Sequence, residues 1–250
     1  MFRTKGERRT FHQNMGLATL LSMGAGCVNV AGFLAFFVLT TNVTGHVAMF
    51  AEELVYGNYS IALSLLIWML LFLLGAFVSS ILVQIGISHK RVGRPRVTPI
   101  VLEILLLLFV SLYGYFHFEG DIQEAKLLAG ILFFAMGLQN AMVTVVSGSI
   151  VRTTHLTGLF TDLGIELGLL FLKKEKRPPN VGRKIMLHTA IILCFFIGGV
   201  IGSLLFPKVT FLTFIFPVIC LLIALSYTSV KKGYHKMREK IIHQSTLKTL

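Results

Sequence analysis

Charged residues are scarce in this chain, and acidic residues are scarcer still. Of its 250 residues 14% are charged, and 11 Asp and Glu stand against 23 Lys and Arg, which gives a net charge of +12. With 55% apolar residues and a mean hydropathy of +0.79, the chain is too apolar to present a soluble surface. The composition therefore predicts a membrane protein that crosses the bilayer several times.

Residues and motifs that carry chemistry are also few. The three cysteines, Cys27, Cys194 and Cys220, all lie inside apolar segments, which is typical of small core residues and excludes a disulfide framework. The sequence has no glycine-rich nucleotide loop, no Cys/His metal cluster and no convincing nucleophile triad. We therefore predict that the protein is not an enzyme, and we expect no cofactor.

Six segments are long enough to cross a bilayer as helices, which takes about 20 apolar residues. Two shorter apolar segments, His46–Tyr56 and Leu159–Leu172, are too short to do so. The six predicted spans are Leu17–Leu39, Ile61–Ile87, Val97–Phe116, Leu127–Val151, Ile185–Phe206 and Val209–Val230.

The basic residues orient these spans. All of them except Lys126 and Lys208 fall in five segments. These are the residues before span 1, the loop at 88–96, the end of span 4, the loop at 173–184 and the tail after span 6. Six spans with both termini inside place every one of these segments on the cytoplasmic side, as the positive-inside rule requires. An eight-span arrangement would put the loop at 88–96 outside. The net charge is thus explained by orientation beside anionic lipid, and no nucleic acid is expected.

One motif occurs twice. Thr40-Thr41-Asn42-Val43-Thr44-Gly45 returns 113 residues later as Thr153-Thr154-His155-Leu156-Thr157-Gly158, and six of fifteen positions from 40 and from 153 are identical. We interpret the chain as one transmembrane domain of two repeats, at about 14–116 and 126–230, with a basic tail at 231–250. Three spans per repeat is an odd number, so the second repeat must be inverted relative to the first. Duplication retained only for stability is the alternative.

Amides occupy the middle of spans 1 and 4. Asn29 and Asn140 each end a Gly-x-x-Asn pattern, and Gln139 precedes the second. An amide in hydrocarbon must find partners, so these side chains should face the bundle interior and could bind a polar solute. Interhelical hydrogen bonding without a ligand is the alternative.

The duplicated motif suits a helix break. If Thr44 and Thr157 are N-caps, the short helices that follow direct their positive ends at the break, where an anionic group could bind. The alternative is an ordinary loop followed by an interfacial helix.

Five titratable residues are candidates for gating or coupling. Glu103 lies seven residues past Arg96, roughly 10 Å into span 3 by helical rise. Asp162 and Glu166 share one face of the second short helix, and His46 and Glu53 occupy the equivalent region of the first. The alternatives are a solvated polar face and, for Glu103, snorkelling toward the cytoplasmic arginines.

These patterns resemble a bacterial family, the YoaK-type integral membrane proteins, a domain of unknown function. The resemblance rests on Gly-x-x-Asn in span 1, on Gly137–Ala141 in span 4 and on the two threonine motifs. The chain departs from the family at Asn29, where the family usually has an acid, and at His46, where it usually has Asn. The resemblance implies a multi-pass protein of the bacterial cytoplasmic membrane and supplies no substrate.

The leading functional hypothesis is a secondary transporter with three-plus-three inverted repeats that moves a small polar or anionic solute by alternating access. A channel or passive facilitator and a non-catalytic membrane partner protein are the alternatives. The expected partners are a small-molecule solute and membrane lipid, and the pattern is compatible with a homo-oligomer.

Overall fold

The structure is a computed structural model that describes residues 11–88, 97–173 and 177–226. Every regular element within these ranges is helical. The predicted basic tail, 231–250, lies outside them. In chain order the elements are α1 (Phe11–Phe36), α2 (Val43–Val55), α3 (Tyr59–Ser88), α4 (Thr98–Phe116), α5 (Ile122–Ser147), α6 (Leu156–Leu169), α7 (Val181–Val209), a 3-10 helix (Thr210–Phe214) and α8 (residues 215–226).

Five helical segments in the described ranges are long and apolar enough to cross a membrane, so the prediction of a multi-pass helical protein is confirmed. The fifth, Val181–Ser226, has 46 residues and joins the last two spans predicted from the sequence. The predicted break after Phe206 is wrong by a few residues. Helix α7 continues past Pro207 to Val209, because a proline in the last turn removes only one of the final hydrogen bonds.

This long segment reverses direction at the 3-10 helix. Along α1, contacts to α7 advance with the chain, since Gly198 lies against Met23 and Gly202 against Cys27. Contacts to the 3-10 helix and α8 run the other way. The Sγ of Cys27 lies 4.0 Å from the carbonyl oxygen of Thr213, and Gly24 lies against Pro217. Helices α7 and α8 are therefore antiparallel. A straight helix of that length would extend about 69 Å, more than twice the thickness of the hydrocarbon core.

Helices α1 and α7 touch backbone to backbone. A Cβ atom added to Gly26 would overlap the carbonyl oxygen of Phe195, and one added to Gly198 would overlap that of Met23. Only glycine permits such an approach, which is typical of packing between membrane helices. The two helices are consequently held in one register.

Helices α3 and α5 repeat this crossing. A Cβ on Gly75 would overlap the carbonyl oxygen of Phe134, and one on Gly137 would overlap that of Phe72. The indole Nε1 of Trp68 also donates a hydrogen bond of 3.0 Å to the carbonyl oxygen of Lys126. Later residues of α3 contact later residues of α5, so α3 and α5 are parallel, as α1 and α7 are.

The two crossings use equivalent residues. Phe134 and Gly137 follow Met23 and Gly26 by 111 positions, and Phe195 and Gly198 follow Phe72 and Gly75 by 123 positions. In this correspondence α5 is the counterpart of α1, and α7 is the counterpart of α3. The repeat therefore extends from the threonine motif into the packing of the long helices.

Helices α1 and α5 also touch each other, and they run in opposite directions. The side chain of Gln139 reaches the carbonyl oxygen of Leu21, whereas the earlier Leu132 lies against the later Gly32. These are the most buried of the long helices, while α3 exposes a row of large apolar side chains along one face. Such a face is suited to lipid contact.

We predict that Gly75→Ala and Gly198→Ala will each lower the free energy of unfolding by about 1–3 kcal/mol, because a methyl group must separate two packed backbones. Thermal unfolding in detergent measures the loss. The control is Gly182→Ala in α7, where an added Cβ meets nothing within 4 Å. Equal stability of all three variants would contradict the close packing.

Candidate functional site

The two copies of the motif end directly at the short helices. Helix α2 begins at Val43 and α6 at Leu156, so the N-cap residues are Asn42 and His155. The expected caps, Thr44 and Thr157, lie instead in the first turns. The shift has a local cause in the first copy, since Asn42 Oδ1 accepts a hydrogen bond of 3.0 Å from the Gly45 amide, and asparagine caps helices well.

Both motifs line one cavity. It has a volume of about 390 Å³ and is partly open, and its walls come from α1, α3, α5, α7 and the two motif segments. We call it the paired cavity, because all its lining residues except Leu39 form pairs of repeat equivalents. The pairs are Asn29 with Asn140, Thr41 with Thr154, Asn42 with His155, Val43 with Leu156, Thr44 with Thr157, and Phe72 with Phe195.

The two asparagines of the paired cavity differ in their hydrogen bonds. Asn29 Oδ1 accepts two from Thr41, one from the backbone amide at 3.1 Å and one from the hydroxyl at 2.9 Å. In the described part of the chain no hydrogen bond joins Asn140 to Thr154. The asparagine of α1 thus holds the first motif, whereas the asparagine of α5 makes no such bond to the second.

Gln139 lies outside the lining of the paired cavity. It is buried, and its Nε2 donates to the carbonyl oxygen of Leu21 at 3.0 Å and to Thr153 Oγ1 at 3.4 Å. Its repeat equivalent is Val28, so the equivalent threonine, Thr40, keeps a buried hydroxyl with no partner. The interhelical hydrogen bond considered as the alternative describes Gln139 better than ligand contact does.

His46 packs against helices α3 and α5. Its ring lies 4.9 Å from that of Phe133 and 6.2 Å from that of Trp68, and its Nδ1 lies 2.6 Å from the carbonyl oxygen of Asn42. Burial lowers the pKa of this imidazole, and the backbone contact with Asn42 opposes that shift. The side chain braces the first motif and does not line the paired cavity.

The acids of the second short helix line a different recess, which we call the charged recess. It has a volume of about 580 Å³ between α6 and α7, with Asp162 and Glu166 facing Arg152, Lys184 and His188. Glu166 Oε2 lies 3.0 Å from His188 Nδ1. The prediction that Asp162 and Glu166 share a face agrees with this geometry, but they lie apart from the asparagines.

The other two predicted acids line neither space. Glu53 accepts a hydrogen bond of 2.7 Å from Asn58 near the end of α2. Glu103 is only 1% exposed, and neither of its carboxyl oxygens has a hydrogen-bond partner among the described residues. The cytoplasmic arginines of the snorkelling alternative lie outside those residues. A third recess, of about 510 Å³ beside Trp68 and Lys126, is mostly apolar and contains no motif residue.

Sequence reasoning missed the two aromatic walls, Phe72 and Phe195. Each lies three residues before a glycine, Gly75 or Gly198, that packs against a neighbouring backbone. Spans 2 and 5 share a similar Leu74-Gly75-Ala76 and Ile197-Gly198-Gly199, and an alignment on these residues extended back by three positions would have found the pair.

Comparisons with known proteins identify a family without a known function. A family profile described as "Protein of unknown function (DUF1275)" matches residues 17–227. This agrees with the resemblance to a family of unknown function, and the YoaK-type name stays a resemblance. No curated protein and no solved structure matches the chain.

We predict that Gln139→Leu will destabilise the protein by about 1–3 kcal/mol, because it removes the second donor to the Leu21 carbonyl and leaves the buried Thr153 hydroxyl without its donor. Thr40→Val is the matched control, since it removes a hydroxyl that already has no partner, and should be neutral or stabilising. Denaturation in detergent compares the two. A larger loss for Thr40→Val than for Gln139→Leu would contradict this assignment of hydrogen bonds.

Proposed function

The chain belongs to the DUF1275 family, and for it we propose the function of a secondary transporter that moves a small polar or anionic solute by alternating access. The single observation that carries the proposal is the paired cavity, which is built from equivalent residues of both halves. Secondary transporters commonly place their site between two repeats in this way.

We propose that the chain crosses the membrane six times as two inverted repeats of three spans each. The antiparallel contact of α1 with its counterpart α5 supports inversion, and the reversal at the 3-10 helix supports counting α7 and α8 as separate spans. The basic segments orient this arrangement with both termini in the cytoplasm, in a bacterial cytoplasmic membrane.

The two motifs are then the two gates. Thr44 belongs to the outer gate and Thr157 to the cytoplasmic gate, with the paired cavity between them. The hydrogen bonds from Thr41 to Asn29 hold the outer motif against α1, while the corresponding Asn140 is free of Thr154. This difference is what alternating access requires, because the two halves must exchange conformations to open the site on opposite sides. The proposed solute takes the place of Thr154 as partner to Asn140.

Uptake into proteoliposomes tests the function. With radiolabelled formate, acetate and glycerol as probes, a carrier gives saturable uptake and counterflow of at least one of them. Asn29→Ala and Asn140→Ala should each reduce uptake by about tenfold, the equivalent of one or two hydrogen bonds to the solute or gate. The control variant is Gly182→Ala, which touches neither the cavity nor a motif.

Two results would decide against a carrier. Flux that does not saturate and shows no counterflow would indicate a channel, and protein that moves none of a wide panel of small polar solutes and anions would indicate a non-transporting partner subunit.

A further inference from the structure

The paired cavity is symmetric except at one pair. Four of its six pairs are identical, and a fifth exchanges Val43 for Leu156, which preserves the chemistry. The sixth places His155 where the first half has Asn42. This one substitution adds an ionisable group, so it is the position at which the two halves differ most in what they can bind.

Among the residues that the structure describes, no other titratable side chain lines the paired cavity. The long helices that face His155 contribute Asn29 from α1, Phe72 from α3, Asn140 from α5 and Phe195 from α7, none of which carries charge. Titratable groups near the two motifs point elsewhere. Asp162 and Glu166 line the charged recess with Arg152, Lys184 and His188, and His46 lies between Trp68 and Phe133.

The described lining of the paired cavity therefore contributes no negatively charged side chain. Within that described lining His155 is the side chain that can carry a charge, and that charge is positive. Two short helices begin at the cavity wall, and each contributes a partial positive charge at its N-terminus. A cation would meet no compensating group here, whereas an anion would meet favourable charge from both halves.

The N-terminus of α6, which begins after His155, is capped differently from that of α2. Asn42 Oδ1 accepts from the Gly45 amide, but His155 makes no capping hydrogen bond, and its ring lies against Gly158. The first turn of α6 thus keeps its amide donors without a side-chain acceptor, next to the ring. A bound anion would supply the acceptor that Asn42 supplies in the first half.

We propose that His155 sets the charge preference of the paired cavity, selecting a small anion and carrying the proton that accompanies it. The proposal rests on the proposed transport function and specifies its substrate class and coupling. A protonated His155 pairs with one anion, so one proton and one negative charge cross together and no net charge moves. When the proton leaves, the pair is lost and the anion is released.

Exchange of the two N-cap residues tests this directly. His155→Asn gives both halves the same residue, and Asn42→His adds the second imidazole. The probes are sodium formate, acetate and nitrate in proteoliposomes, with glycerol as a neutral solute and tetramethylammonium as a cation. Wild-type uptake of an anion should increase when the outer solution is made acidic. His155→Asn should lose that pH dependence and reduce anion uptake at acidic pH by about tenfold.

A binding measurement separates this role from a structural one. Trp68 is the only tryptophan of the chain, and it packs against His46 in the first half, so its emission reports on that motif without transport. Anions should shift the emission or the thermal midpoint of the wild type more at pH 6 than at pH 8. The His155→Asn protein gains a residue that can cap α6, so without anion it should unfold at or above the wild-type temperature, and it should lose the pH difference.

Glu103→Gln tests the other candidate for proton coupling, because Glu103 is a buried acid outside the cavity. The Glu103→Gln protein should keep the pH dependence of uptake. If His155→Asn retains pH-dependent anion uptake, or if Glu103→Gln alone abolishes it, the role of His155 is wrong and transport stands. Wild-type preference for glycerol or tetramethylammonium would likewise overturn the anion assignment only. If wild-type protein moves none of the probes and none shifts the emission or the thermal midpoint, both the inference and the proposed function fail.

Discussion

Two contacts between helix backbones hold the molecule in its arrangement. At each one a pair of glycines lets a carbonyl oxygen of the facing helix approach where a side chain would otherwise stand. Asn29 and Asn140 lie three residues after the crossing glycines Gly26 and Gly137, within one turn of helix. The aromatic walls of the cavity lie three residues before the other two glycines. The crossings therefore position the cavity residues of both halves, and the cavity depends on glycines that let two helix backbones meet.

The same framework carries different polar contacts in the two halves. Gln139 anchors the second motif through Thr153, but its counterpart Val28 gives Thr40 no partner. Asn29 holds Thr41, whereas Asn140 does not hold Thr154. Because the apolar packing is equivalent and the hydrogen bonds are not, the halves share a fold while occupying different local states. In the proposed transport cycle, loss of the Asn29–Thr41 hydrogen bonds and formation of equivalent ones at Asn140 would each change the free energy by about 1 kcal/mol per bond.

Much of this arrangement was predictable from the sequence, and the limits have physical causes. The duplicated threonine motif predicted both short helices. The length of the apolar segments predicted the long helices, because the thickness of the bilayer sets the length of a span. The sequence could not predict where the chain reverses between α7 and α8. Pro207 is tolerated at the end of α7, and the reversal depends on tertiary contacts of Phe211 and Thr213. The sequence singled out Asn29, Asn140 and Gln139 together, but it did not separate the two that line the cavity from Gln139, which forms the interhelical hydrogen bond. Its neighbour in the sequence faces the cavity, and a step of one residue turns a side chain about 100° around the helix.

The central claim is that Thr44 and Thr157 open one cavity to opposite faces of the membrane. Accessibility of single cysteines measures this most directly. Thr44→Cys and Thr157→Cys, in a background without the native cysteines, would be treated with a membrane-impermeant maleimide from either side of oriented vesicles. The account predicts labelling of position 44 from the outside and of position 157 from the cytoplasm, with conditions that increase one reducing the other. Labelling of both positions from the same side would contradict it.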